Sequence, residues 1–188
     1  MAISKNNWGF NMSLHDVGVA VKRAMAAFQR RPEMAAHANP PAVTRWESGT
    51  RMVTRCGEAL SVATDMPREL GGTGDQFTPG WLFRAGVASC AATSITLAAA
   101  SEGIELTSLE VQVGSHSDAR GLLGMSQPDG GTVYAGLFDI ELRVNIAADG
   151  STPTALEDLV KGCLSHSPVP CTLATPTPFV LHIDVTPV

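Results

Sequence analysis

The chain has 188 residues, enough for one domain with a substantial core and too few to indicate two domains. Its 13 basic residues are outnumbered by 18 acidic ones, and no lysine or arginine run is present, so neither nucleic acid nor an anionic membrane surface is an expected partner. The N-terminus lacks the apolar core of a signal peptide, and hydroxyl residues and a cysteine interrupt the longest apolar run, so we expect a soluble, cytoplasmic protein.

The four cysteines, at positions 56, 90, 163 and 171, are widely spaced and form no CxxC pair. In a reducing cytosol such a set predicts neither a disulfide framework nor a zinc site. The glycine-rich segment 71–74 lacks the lysine and the spacing of a phosphate-binding loop. We therefore expect no metal and no cofactor.

The first predicted element is an amphipathic helix from Leu14 to Gln29, with Ser13 as its N-cap and Asp16 completing a capping box. Prolines 40 and 41 mark a linker after it. This linker divides the chain into an N-terminal helical extension, residues 1–41, and a main domain, residues 42–188.

The main domain is expected to begin with two or three antiparallel strands between residues 42 and 63, followed by a turn-rich segment to residue 75. Thr78 then serves as N-cap and Pro79 as first residue of a long helix that runs to about Ser101. Its apolar residues point in several directions, which predicts burial nearly all round. Cys90 lies in the fourth turn of this helix.

Three more strands and one helix are predicted in the second half of the chain. The strands span residues 104–113, 138–146 and 179–185, and an exposed loop covers residues 116–131. The helix starts at Pro153, ends before Ser167 and Pro168, and carries Cys163 on its apolar stripe. Strands and helices in this order indicate an α+β fold.

Several short motifs carry a resemblance to a known family. They are Pro67-Arg68-Glu69-Leu70-Gly71-Gly72, then Thr78-Pro79, then Ala88-Ser89-Cys90 in the long helix, and Ser167-Pro168-Val169 after the second helix. In this order and spacing they resemble the OsmC/Ohr family of thiol-dependent hydroperoxide reductases, over roughly residues 42–188.

The resemblance implies antiparallel sheets wrapped around long buried central helices in an intertwined homodimer, with active sites at the subunit interface. It also implies a peroxidatic cysteine, a second cysteine that forms a disulfide with it, and an arginine and a glutamate that support the thiolate. Cys90 occupies the peroxidatic position. Arg51 is the nearest match to the arginine, with Arg45 and Arg55 as alternatives.

Two of the family's functional positions are altered here. Ser167 stands where the second cysteine is expected, and Gly80 stands where the glutamate is expected. Cys171 and Cys163 are the remaining candidates for a resolving thiol, provided that the fold brings their Cα atoms within about 7 Å of that of Cys90.

The chemistry that these residues indicate is thiolate attack on a peroxide, with a cation such as Arg51 favouring the thiolate. Trp81 and Phe83 are candidates for an apolar substrate pocket, although the same aromatic residues would also serve as ordinary packing. Cys90 itself has an alternative interpretation as a small core residue, since free cysteines are often buried.

Two functions follow from this pattern. The first is a peroxidase of organic hydroperoxides that uses Cys90 and an external thiol or dithiol reductant, in oxidative stress defence. The second is a catalytically degenerate dimer of the same fold that binds a small molecule or senses redox state, for which Gly80 and Ser167 are the indications.

Overall fold

The computed structural model describes residues 12–187, which form two antiparallel sheets, five α-helices and two short 3-10 turns. The helices are α1 (Leu14–Arg30), α2 (Pro79–Glu102), α3 (Ala119–Leu122), α4 (Pro153–Leu164) and α5 (Pro168–Ala174). The strands are β1 (Val43–Ser48), β2 (Arg51–Cys56), β3 (Leu60–Thr64), β4 (Leu106–His116) and β5 (Phe138–Ala148). Two short 3-10 turns lie at Pro32–Met34 and Arg68–Leu70. The α+β class predicted from the sequence is confirmed.

Helix α1 begins with the predicted capping box. The Ser13 hydroxyl accepts the backbone N–H of Asp16 at 3.2 Å, and the Asp16 carboxylate accepts the backbone N–H of Ser13 at 3.2 Å. These two bonds satisfy donors that the first helical turn leaves without intrahelical partners. The predicted start of this helix is therefore confirmed, and the helix ends one residue later than expected.

The first sheet has the strand order β1-β2-β3 and is antiparallel throughout. Gly49 and Gly57 make its two tight turns with positive φ angles of 54° and 61°, a conformation that costs glycine little. The sheet has extensive contacts only among its own strands, and every residue of β1 is exposed. One chain alone therefore gives this sheet no opposing layer within residues 12–187.

Helix α2 is the central element of the rest of the chain, since α1, β4, α4 and α5 all contact it. The Thr78 hydroxyl accepts the N–H of Trp81 at 3.2 Å and Pro79 opens the helix, as the sequence predicts. The helix ends at Glu102, one residue later than expected, and Gly103 follows in the left-handed conformation. Within residues 12–187, α2 is the one helix long and apolar enough by composition to cross a membrane, a test that a buried core helix also passes.

The prediction that α2 is buried nearly all round is wrong for the single chain. Burial is largely confined to one stripe at every fourth residue, Val87, Ala91, Ile95 and Ala99, against which β4, α4, α5 and α1 pack. Leu97 on the opposite side is 41% exposed, and Phe83, which precedes Val87 in the same row, is 38% exposed. The chain supplies neighbours for one side of an apolar helix and leaves the rest uncovered.

The second sheet pairs β4 with β5, and α4 lies beside it. Leu142, Val144 and Ile146 form the half-buried face of β5, whereas Phe138 and Ile140 at the start of the same alternating pattern are exposed. Thr152 caps α4, which begins at Pro153 as predicted, and Cys163 lies on the predicted buried stripe together with Leu156 and Leu159. The expected exposed loop after β4 contains the short helix α3, and the sequence did not predict α5.

The predicted last strand, residues 179–185, is wrong for the single chain. Residues 176–187 have no regular secondary structure, and Phe179 and Val185 are 89% and 83% exposed. The alternation of apolar residues is present, but a strand forms only where another strand edge accepts its backbone hydrogen bonds. No such edge lies beside this segment within the described chain.

The N-terminal extension docks on the C-terminal half of α2 through Gly18. This glycine is buried, and a Cβ atom placed on it would overlap the carbonyl oxygen of Ala100. The close approach of the two helices therefore depends on the absence of a side chain.

We expect Gly18→Ala to destabilise the protein by about 1–3 kcal/mol, because overpacking at this contact exceeds the gain in helix propensity. Chemical denaturation measures the free energy of unfolding. The matched control is Gly162→Ala on α4, where an added Cβ meets no atom within 4 Å. That control is expected to gain about 0.5–1 kcal/mol, and equal gains in both variants would contradict the packing of α1 on α2.

Candidate functional site

The sulfur of Cys90 lies where α2 meets the connection between α4 and α5. Cys90 is half-buried, and its Sγ accepts the backbone N–H of Val169 at 3.4 Å. The hydroxyl of Ser167 lies 3.5 Å from the same sulfur. Val169 is in the first turn of α5, where backbone N–H groups have no intrahelical partner, so this one is available to the sulfur. The sulfur thus has two neighbouring hydrogen-bond donors.

Ser167 is completely buried and makes a second side-chain contact. The Ser94 hydroxyl, one helical turn after Cys90, donates to the Ser167 hydroxyl at 2.9 Å. The structure therefore brings together Cys90 and Ser167, the serine found where the resemblance implies a second cysteine. It adds Ser94, which the sequence reasoning missed, although its i+4 spacing from Cys90 is visible in the sequence.

The other three cysteines are free thiols held elsewhere. Cys163 is buried, its thiol donates to the Val160 carbonyl at 3.3 Å, and burial raises its pKa, which disfavours the reactive thiolate. The Cys171 thiol donates to the Ser165 carbonyl at 3.1 Å at the end of α4, and Cys56 is exposed at the end of β2.

Helix direction separates Cys163 from Cys90. Ser167 lies beside Cys90 and Ser94, whereas Cys163 shares a cavity with Ala98, so α4 runs antiparallel to α2. Neither Cys163 nor Cys171 is hydrogen-bonded to the Cys90 sulfur in the described part of the chain, and neither is paired with it in a disulfide.

Arg51 belongs to a separate cluster at the base of the first sheet. Its guanidinium donates to Asp65 at 3.1 Å, to the Thr73 hydroxyl at 2.6 Å, and to Asp75. Arg45 and Arg55 are exposed on β1 and β2. Within residues 12–187 of one chain, the hydrogen-bond partners of Cys90 therefore include none of the three arginines considered.

Asp65 is the centre of that cluster. Its buried carboxylate accepts bonds from the hydroxyls of Thr50 at 2.5 Å and Thr73 at 2.8 Å, and from the backbone N–H of Met66 at 2.8 Å. The hydrogen bonds from Thr50 and Thr73 lower the pKa of Asp65 far below its ordinary value. In turn, the hydrogen bond to Asp65 raises the pKa of Arg51.

Asp65 and Asp75 both form ion pairs with Arg51, although position 80 is a glycine and supplies no carboxylate. Their location on either side of the Pro67–Gly72 motif is the sequence feature that could have indicated this role. Gly72 is needed for the compact loop, because a Cβ on it would overlap the Met66 carbonyl. Gly80 lies instead near Arg84, whose guanidinium donates to Ser115 at 3.3 Å.

The aromatic residues expected to form a substrate pocket are both partly exposed near the start of α2. Trp81 stacks on Phe77, with ring centroids 4.0 Å apart and planes 10° from parallel, and Phe83 is 38% exposed. A cavity of about 700 Å³ lies between β5 and α4, lined in part by Val144 and Leu156, and neither aromatic residue lines it.

Comparisons with known proteins give one family match. The model of the family described as OsmC-like protein matches residues 72–182, more than half of the chain. The match includes Cys90 and Ser167 and begins after Arg51. No curated protein shows a significant sequence match.

Three solved structures illustrate the fold similarity. An OsmC-like protein from Mycoplasma pneumoniae is 18% identical with a TM-score of 0.61, covering 74% of this chain and 89% of its own. An OsmC-like protein of unknown function from Vibrio cholerae is 12% identical with a TM-score of 0.59, covering 72% and 94%. An organic hydroperoxide resistance protein from Elizabethkingia anophelis is 23% identical with a TM-score of 0.54, covering 72% and 88%.

We expect Asp65→Asn to lower the free energy of unfolding at pH 7 and to flatten its dependence on pH. The pKa of Asp65 is lower in the folded chain than its ordinary value of 3.8, so its stabilisation is complete above about pH 4 and is lost as pH falls toward the folded value. Denaturant unfolding between pH 3 and pH 7 measures both effects. The exposed Asp158 on α4 supplies the control, Asp158→Asn, and an Asp65→Asn variant as stable as wild type would refute the role of the cluster.

Proposed function

Because this chain belongs to the OsmC-like protein family, we propose that it reduces organic hydroperoxides through Cys90, with an external thiol as reductant. One observation carries the proposal: the half-buried Cys90 sulfur accepts the Val169 N–H and lies 3.5 Å from the Ser167 hydroxyl. Donors of this kind favour the thiolate, which is the nucleophilic form of cysteine. The similar Elizabethkingia protein is an organic hydroperoxide resistance protein, which supports the same class of substrate.

The reaction follows from the sulfur and its surroundings. The Cys90 thiolate attacks one peroxide oxygen, so that a sulfur–oxygen bond forms and the oxygen–oxygen bond breaks. The leaving alkoxide takes a proton and departs as an alcohol. Sulfur has then lost two electrons to the peroxide and remains as a sulfenic acid.

The reductant must come from outside the chain, because the group beside Cys90 is a hydroxyl. An external thiol attacks the sulfenic sulfur, releases water and forms a mixed disulfide, and a second thiol then exchanges to restore Cys90. A dithiol such as dihydrolipoamide performs both steps in one molecule. The buried Cys163 and the carbonyl-bonded Cys171 are poorly placed for the same work.

We also propose that the working form is a cytoplasmic homodimer with its site at the subunit interface. Three features of one chain support a second copy as the missing partner: the uncovered apolar side of α2, the first sheet without an opposing layer, and the exposed alternating segment 179–185. In such a dimer the first sheet of one subunit lies against α2 of the other. This arrangement brings Arg51, on the first sheet, close to the Cys90 sulfur of the other subunit.

The alternative function is a degenerate family member that binds a small molecule or senses redox state. The observation in its favour is that a serine, Ser167, lies beside Cys90, since a sulfenic acid with no neighbouring thiol persists and can report oxidation. Catalytic turnover separates the two functions, because a sensor reacts once and does not consume peroxide continuously.

The first prediction concerns Cys90. Wild-type protein with dihydrolipoamide is expected to consume cumene hydroperoxide continuously, and Cys90→Ser is expected to lose this activity at least about a hundredfold, since an alcohol cannot form the sulfenic intermediate. Peroxide consumption measures the rate, with the exposed Cys56→Ser as control. Equal rates for wild type and Cys90→Ser would refute the proposal, and a single turnover per subunit would favour the sensor.

The second prediction restores a resolving thiol. In Ser167→Cys we expect hydroperoxide to produce an intramolecular disulfide with Cys90, because the two side-chain atoms are 3.5 Å apart and small adjustment brings sulfurs into bonding geometry. Mass spectrometry under non-reducing conditions detects it. The double variant Cys90→Ser, Ser167→Cys is the control, and two thiols that stay free after oxidation would contradict the placement of Ser167 beside Cys90.

The third prediction tests the dimer. Replacing Phe179 and Ile183 by serine removes two apolar side chains of the exposed C-terminal segment, and we expect a shift from dimer to monomer in sedimentation velocity. The control replaces His182 and Asp184, exposed polar residues of the same segment, by serine. A monomeric wild type would refute the dimer, and a Phe179→Ser, Ile183→Ser variant as dimeric as wild type would exclude segment 179–185 from the interface.

A further inference from the structure

Two serines beside Cys90 form a hydrogen-bonded chain that ends on the sulfur. Ser94 Oγ lies 2.9 Å from Ser167 Oγ, which lies 3.5 Å from Cys90 Sγ. Ser94 and Cys90 are one turn apart on α2 and face the same connection between α4 and α5. The geometry therefore links three side chains from two separate parts of the sequence.

The backbone of Ser167 is fixed on both sides. Its N–H donates to the Leu164 carbonyl at 3.3 Å, and its carbonyl accepts the N–H of Cys171 at 2.9 Å. Ser167 is also 0% exposed, so its hydroxyl is shielded from bulk water. The hydroxyl is thus held at one place and must find its partners within the protein.

The direction of the chain follows from counting donors and acceptors. A hydroxyl has one proton to donate and accepts through its oxygen lone pairs. Because Ser94 donates to Ser167, the proton of Ser167 is free for another acceptor, and the Cys90 sulfur is the acceptor that the structure places there. A Cys90 thiolate has no proton, so in that state the Ser167 hydroxyl is the donor of the contact.

We propose that Ser167 is a catalytic hydrogen-bond donor to Cys90 and that Ser94 is a positioning residue that directs the Ser167 proton toward the sulfur. This inference rests on the proposed function and extends it. Together with the Val169 N–H, the Ser167 hydroxyl gives the thiolate two donors from its own chain. Polarisation by Ser94 strengthens the Ser167 bond.

The same hydroxyl has a second role after the peroxide has reacted. Once the sulfur–oxygen bond has formed, Ser167 is within reach to donate to the new oxygen of the sulfenate, while the alkoxide leaves as the alcohol. A serine forms no bond to sulfur under these conditions, so the sulfenic acid stays available to the external thiol. Ser167 thus supports the intermediate without competing with the reductant.

The test compares Ser167→Ala, Ser94→Ala and the double variant with wild type, each in the Cys163→Ser, Cys171→Ser, Cys56→Ser background so that Cys90 is the one thiol. Iodoacetamide alkylation of Cys90 is measured against pH, together with sulfenic acid formation by cumene hydroperoxide. We expect Ser167→Ala to slow both at neutral pH by roughly tenfold, with the alkylation profile displaced toward alkaline pH, since a hydrogen bond to a charged group is lost.

Ser94→Ala is expected to slow the reactions by about threefold, because it removes only the polarisation of Ser167. The double variant is expected to match Ser167→Ala, since Ser94 acts through Ser167 and the two effects do not add. Ser165→Ala is the control, because the Ser165 hydroxyl bonds the Gly162 carbonyl and the His166 ring instead. This variant is expected to leave the rate of Cys90 alkylation, its dependence on pH and the rate of sulfenic acid formation unchanged.

Alkylation needs no peroxidase activity, so the outcomes are distinguishable. Serine-dependent alkylation in a protein that does not turn over hydroperoxide would support the hydrogen-bonded chain and refute the proposed function. Turnover and alkylation that are unchanged in Ser167→Ala, or effects of the two serines that simply add, would overturn this inference and leave the proposed function standing. If Ser167→Ala does not fold, an unchanged alkylation profile in Ser94→Ala also overturns it.

Discussion

The uneven coverage of α2 is the constraint on which the rest of this structure depends. The helix is apolar on several sides, yet its own chain buries mainly a single stripe through Val87, Ala91, Ile95 and Ala99. The elements β4, α4, α5 and α1 pack against α2. This packing places Cys90 against the start of α5. Burial of the other side requires further apolar surface, and within residues 12–187 the first sheet and the C-terminal segment are the parts left without an opposing layer.

Most elements were predictable because their signals are local. Ser13 with Asp16, Thr78 with Pro79, and Thr152 with Pro153 each mark a helix start, where the capping hydroxyl bonds a backbone donor three residues on. The position of Cys90 in the fourth turn of α2 follows from such a boundary. The failures at segment 179–185 and at the far side of α2 have one cause: both depend on a neighbour that the described part of one chain does not contain.

The candidate site was predictable in part. Cys90 and Ser167 were named from motifs, but their 3.5 Å contact depends on α4 running antiparallel to α2, which is a long-range property. Ser94 escaped notice because a serine in a helix carries no chemistry until its partner is known. Asp65 and Asp75 escaped notice because turn-rich sequence predicts exposed acids, whereas Asp65 is buried with hydrogen bonds from Thr50 and Thr73.

Ser167 and Gly80 stand where the resemblance implies a second cysteine and a glutamate, and the two positions have different structural surroundings. Asp65 and Asp75 hold Arg51, so the arginine keeps carboxylate partners even with glycine at position 80. The hydroxyl at position 167 can donate a proton to the sulfur but cannot form a sulfur–sulfur bond. Within one chain the Cys90 sulfur therefore has a hydroxyl and a backbone N–H beside it and no second thiol bonded to it, and under the proposed function the resolving thiol comes from outside the chain.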